Sequence, residues 1–104
     1  MNEFGLKQEV ITKISDVFTR FPSVVTVLIY GSRAKGNFKH SSDIDLTLKG
    51  KDLDFTLLCE VSNELDDLLL PYSIDLSIYD QIENHDLVEH IDRKGAVFYQ
   101  KAGS

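Results

Sequence analysis

The feature that most constrains this chain is a pair of strand-like segments joined by a short polar turn. Val24 to Tyr30 is apolar apart from Thr26 and rich in β-branched residues, the pattern of a strand buried on both faces. Asp43 to Leu48 alternates Ile44, Leu46 and Leu48 with Asp45 and Thr47, the period of a strand with one buried face. Between them, residues 31–42 read GSRAKGNFKHSS, carry Arg33, Lys35 and Lys39, and contain no acid. A connection this short predicts antiparallel pairing of the two strands.

The rest of the chain fits around that pair. Leu6, Val10, Ile11, Ile14, Val17 and Phe18 recur at helical spacing and predict a helix over 3–20, stopped by Pro22. Leu53, Leu57, Val61, Leu65 and Leu68 predict a second long helix over 52–70, with Asp52 as its N-cap and Pro71 closing it. Its outer side is acidic and reads as a solvated face. Ile74, Leu76 and Ile78 alternate against Asp75 and Ser77 in a third strand over 73–79. A last helix over 83–94 ends before Gly95, read as its C′ residue, and 96–99 suggests a short final strand. A helical crossover between the second and third strands makes them parallel. The fold class is therefore α/β in the broad sense (α+β), a mixed β-sheet flanked by helices, over a single domain of residues 1–104.

Composition removes several classes of function. With 104 residues, one core is feasible and a second domain of ordinary length is not. No apolar stretch is long enough to span a membrane, and the N-terminus lacks a secretory pattern. The single cysteine, Cys59, excludes a disulfide framework and a cysteine zinc cluster and fits a cytoplasmic location. A net charge of −6 argues against a protein that grips nucleic acid unaided. His85 and His90 stand five apart, off the helical metal spacing of three or four, and read as surface or helix-end residues. Lys39, His40 and Lys49 also read as surface.

The predicted topology brings Gly31-Ser32, Asp43 and Asp75 to one edge of the sheet. Asp43 and Asp45, two apart on a strand, share a face, and Asp75 can point to the same side from the parallel neighbour. Three carboxylates without a compensating base repel each other, and divalent cations relieve that repulsion. Oxygen ligands of this kind suit Mg²⁺, which keeps waters and substrate phosphates in its shell. Opposite them, Gly31 allows close approach of a phosphate and Ser32 can donate to it. A short helix over 32–38 would add its amides, and Arg33 and Lys35 could neutralise a triphosphate. Metal-holding carboxylates facing a phosphate cradle suit phosphoryl or nucleotidyl transfer.

Gly31-Ser32, ten further residues, and then Asp43-Ile44-Asp45 resemble the signature of the polymerase-β-type nucleotidyltransferase superfamily. GSRAKG followed by SDIDL is similar to its smallest members, the minimal nucleotidyltransferases of prokaryotes. The resemblance implies a nucleotidyltransferase-like αβαβαβα core and transfer of a nucleoside monophosphate from an NTP, with ATP the family default. It implies that Asp43 and Asp45 hold two Mg²⁺ ions, with Mn²⁺ the alternative. Asp75 would complete the metal site and help activate the attacking hydroxyl, while Gly31 and Ser32 would grip the distal phosphates. Family members of this size commonly pair with a helical HEPN protein, often a toxin, and adenylylate one of its tyrosines. Two other roles remain open: an enzyme subunit acting on a small molecule or an RNA end, and a non-catalytic antitoxin that neutralises its partner by binding.

Overall fold

The structure is a computed structural model and describes residues 2–39 and 42–102; His40 lies outside them. The chain opens with a hairpin rather than a helix. Strand β1, Asn2–Glu3, pairs antiparallel with β2, Leu6–Lys7. Phe4 and Gly5 between them both take positive φ, 57° and 71°, as a two-residue hairpin turn requires. Helix α1 spans only Gln8–Thr19, which corrects the expected start near residue 3. Leu6 belongs to the buried stripe, but it enters the core from β2.

The remaining elements are β3, Val24–Tyr30; α2, Ser32–Lys35; β4, Ile44–Gly50; α3, Phe55–Asp66; β5, Ile74–Ile78; a 3-10 turn, Tyr79–Gln81; α4, His85–Lys94; and β6, Ala96–Gln100. Helix α3 is shorter than its apolar spacing suggested. Asp52 sits at φ 58°, and Asp54 is the cap, its Oδ1 accepting from the Leu57 amide at 2.8 Å. Leu69, also at positive φ, lies beyond the helix. Asn84 caps α4 by accepting from the amides of Asp86 and Leu87. Gly95 is extended rather than left-handed; a side chain there would run into the Ile91 carbonyl oxygen.

The main sheet has the order β5-β4-β3-β6. Strand β3 runs antiparallel to β4 and β6, and β4 runs parallel to β5, as the turn and the crossover predicted. Ile29, Leu46 and Leu48 join Val10, Ile14, Val17 and Phe18 of α1 and Val61 and Leu65 of α3 in one buried cluster. Burying such side chains contributes roughly 1.5–3 kcal/mol each. Arg20 bridges to Glu64 at 2.6 Å and ties the end of α1 to α3. Because side chains alternate along a strand, Tyr30 faces away from this cluster, and there it meets His90 of α4. No helix among the described residues is long and apolar enough to cross a membrane.

Candidate active site

Strand register builds the centre of the site. Tyr30 of β3 pairs with Asp45 of β4, and Asp45 pairs with Asp75 of β5. Aligned residues on adjacent strands point to the same face, so Asp45 lies between Tyr30 and Asp75. Asp43 immediately precedes β4. The Ile44 amide donates to the Ser73 carbonyl at 2.9 Å, which fixes where β4 begins against the start of β5.

Asp45 is half-buried, whereas Asp43 and Asp75 are exposed. Burial pushes the Asp45 carboxyl above its ordinary value, and the charges of Asp75 and then Asp43 push it further. Asp75 and Asp43 therefore both lie within electrostatic reach of Asp45. The phenol of Tyr30 is raised as well, mainly by burial; a Ser77 hydrogen bond pulls it down, and Asp75 and Asp45 push it up. Beneath them, Ser77 Oγ donates to Thr47 Oγ1 at 2.9 Å.

Gly31 joins this centre to the turn. It follows the last residue of β3 and takes φ 77°, ψ −154°, a conformation open essentially to glycine alone. A Cβ at this position would overlap Asp45 Oδ2. The same glycine therefore turns the chain and lets the carboxylate lie against the backbone. Ser32 begins α2 and is half-buried, while Lys35 at its end is exposed. The helix expected over 32–38 stops at Lys35, with Gly36 left-handed as its cap.

Arg33 does not stand at the rim where a phosphate contact was expected. It is only 2% exposed. Its Nε and Nη2 donate to the Ser42 carbonyl at 3.1 and 2.9 Å, and Nη1 donates to the Phe4 carbonyl at 2.9 Å. The guanidinium also lies over the rings of Phe38 and Tyr72, 5.3 and 5.0 Å from their centroids. Arg33 clasps the far end of the polar turn to the β1–β2 hairpin. A planar five-donor group suits that work.

His90 stands next to the site although its spacing suggested a surface role. Its Nε2 accepts from the Gly31 amide at 3.4 Å, and its ring meets that of Tyr30 edge-on with centroids 6.5 Å apart. No spacing rule links residues 31 and 90; only the packing of α4 on β3 brings them together. On the other side of the centre, a groove of about 300 Å³ runs between α3 and β5, lined by Phe55, Leu58, Cys59, Ser62, Ile74, Asp75 and Leu76. Phe55 is 73% exposed at its rim.

Among the described residues, no three His, Cys, Asp or Glu side chains form a preformed metal group. The donors present are nonetheless of one chemical kind. Carboxylate oxygens gathered around Asp45 fit a hard divalent cation that shares its shell with water and phosphate. His85 is exposed at the first position of α4.

Residues 12–103 match the family described as Polymerase beta, Nucleotidyltransferase, and the chain belongs to that family. Solved structures share its fold. A toxin–antitoxin structure with AMP-PNP aligns with a TM-score of 0.70 at 21% identity, over 93% of this chain and 76% of the other. The toxin–antitoxin pair MntA–HepT aligns with a TM-score of 0.67 at 20% identity, over 91% and 74%. The complex of a tri-AMPylated Shewanella oneidensis HEPN toxin with its MNT antitoxin aligns with a TM-score of 0.66 at 20% identity, over 90% and 72%. At these identities the likeness is one of fold. No curated protein matches the chain in sequence.

Proposed function

We propose that this protein is a divalent-metal-dependent nucleotidyltransferase that transfers AMP from ATP to a tyrosine hydroxyl of a HEPN-type partner and thereby acts as an antitoxin. The observation that carries the reading is the placement of Asp45 between Asp75 and Gly31. Carboxylates and phosphate cradle thus share one strand end. Membership of the nucleotidyltransferase family supports the chemistry. The fold shared with antitoxins seen beside AMP-PNP and beside an AMPylated toxin supports the acceptor.

In this reading Asp43, Asp45 and Asp75 would hold two Mg²⁺ ions, or Mn²⁺ in their place. Bound there, the ions would neutralise phosphate charge and favour ionisation of the attacking hydroxyl. Gly31 and Ser32 receive the distal phosphates, with Lys35 at the rim. The acceptor oxygen attacks the α-phosphorus, its proton passes toward Asp75, and the bond from the α-phosphorus to the bridging oxygen breaks. Pyrophosphate leaves with the electron pair. The acceptor reaches Asp75 along the groove between α3 and β5, where the apolar lining and Phe55 suit an aromatic ring. One domain suffices for this work, with the partner protein supplying acceptor recognition. An ATP substrate and a single cysteine support a cytoplasmic location.

The test is incubation with Mg²⁺ and ATP labelled on its α-phosphate in a lysate of the source organism, beside the Asp43→Asn/Asp45→Asn variant. A labelled protein absent from the variant's lane is the expected result. Label confined to RNA or a small molecule would overturn the protein acceptor, and equal label in both lanes would overturn the assigned site.

A further inference from the structure

Gly31 N–H points to the side of β3 where the ladder has run out. The last pair between β3 and β6 is Ile29 with Ala96, so no strand residue stands beside Gly31 there. His90 Nε2 supplies the acceptor instead, at 3.4 Å. The imidazole is itself held edge-on against Tyr30, the residue that pairs with Asp45. A glycine has more conformations to choose from than any other residue. One at φ 77° with its amide unpaired would lose little by leaving that conformation.

We propose that His90 is a positioning residue for nucleotide binding: by accepting the Gly31 amide it holds the Gly31-Ser32 turn in the conformation that receives the phosphates of ATP. The proposal rests on the transfer reading of the site and divides the work of the turn. The Gly31 amide is committed to the imidazole, so Gly31 supplies shape and close approach. The donors left for a phosphate are the amide and hydroxyl of Ser32. With Nε2 accepting, the ring proton sits on Nδ1.

Two functions of the imidazole, packing and accepting, separate by substitution. His90→Phe keeps a ring against Tyr30 and removes the acceptor. His90→Gln removes the ring and keeps an oxygen near the reach of Nε2. His90→Asn keeps polarity but falls short of Gly31. Titration calorimetry of the full chain with Mg·ATP should show affinity reduced about 5- to 10-fold in His90→Phe, the value of one hydrogen bond. His90→Gln should stay within about twofold of wild type.

Amide hydrogen exchange at Gly31, followed by NMR in the absence of nucleotide, should quicken in His90→Phe and His90→Asn and stay protected in His90→Gln. Unchanged Gly31 exchange in His90→Phe overturns the proposal. So does loss of ATP affinity in His90→Gln equal to that in His90→Phe. A wild-type protein that binds no ATP overturns the transfer reading instead, and with it the link from this contact to nucleotide affinity. Because the exchange measurement needs no nucleotide, it still decides whether His90 holds the turn; if His90→Phe should fail to fold, His90→Asn gives the same decision.

Discussion

Gly31 and Asp45 pack so closely that residue 31 has no room for a side chain: one there would occupy the space of Asp45 Oδ2. Strand β3 ends at Tyr30, one residue before the glycine, β4 begins one residue before the aspartate, and the antiparallel register of Tyr30 with Asp45 brings the two together. The distance between the Gly31-Ser32 turn and the carboxylates is thereby set by the sheet rather than by a loop.

Gly31→Ala meets two penalties at once, a positive φ and an overlap with Asp45. The strained backbone alone costs about 1–3 kcal/mol. Urea denaturation should show that loss, and ATP binding should fall further than stability accounts for, because the Gly31-Ser32 turn must shift away from the carboxylate. An alanine variant with native ATP affinity would contradict the close packing of the two residues.

Asp45→Asn should abolish transfer and yet stabilise the metal-free protein at pH 7. Burial and the charges of Asp75 and Asp43 hold the Asp45 carboxyl above its ordinary value of 3.8, so the folded state retains a proton that the unfolded chain has released. The stability this group contributes is fully present below about pH 3.8 and is lost as pH rises through its raised native value. Melting curves of wild type and variant across the acidic range should therefore diverge with rising pH, the variant melting higher. Parallel curves would show that Asp45 is not under strain.

Mg²⁺ should raise the melting temperature of the wild type at pH 7, since a cation bound by the native state alone stabilises it by mass action. The rise should vanish in Asp43→Asn/Asp45→Asn and reverse on addition of EDTA. Equal shifts in wild type and variant would place the cation elsewhere.

Arg33→Lys should behave as a folding lesion. A lysine lacks the planar fork whose separate nitrogens reach the Phe4 and Ser42 carbonyls, and it cannot lie flat against Phe38 and Tyr72. Stranding buried acceptors costs about 1–3 kcal/mol each, read from chemical denaturation. If stability held and only ATP affinity dropped, Arg33 would be a phosphate ligand after all.

What the sequence made legible was whatever depends on period and connection length. The alternation around Asp45 and Asp75 set their shared face, and the short turn and long crossover set the strand directions that align them. Where contacts come from distant segments, the sequence is silent. Arg33 looks like loop charge because nothing near it announces that Phe4 and Tyr72 will enclose it. His90 failed a test for metal spacing on its own helix, while its partner lies on β3. The hairpin before α1 was hidden because Leu6 continues the helical stripe; only the positive φ values of Phe4 and Gly5 reveal the turn.

The central claim is nucleotidyl rather than phosphoryl transfer from this strand end. The most direct measurement gives the protein and its acceptor partner two samples of ATP with Mg²⁺, one labelled on the α-phosphate and one on the γ-phosphate. The account predicts label on the partner from the α-position only, with the γ-label released as pyrophosphate, and neither in Asp43→Asn/Asp45→Asn. Partner labelled from the γ-phosphate, or α-label persisting in the variant, would contradict it.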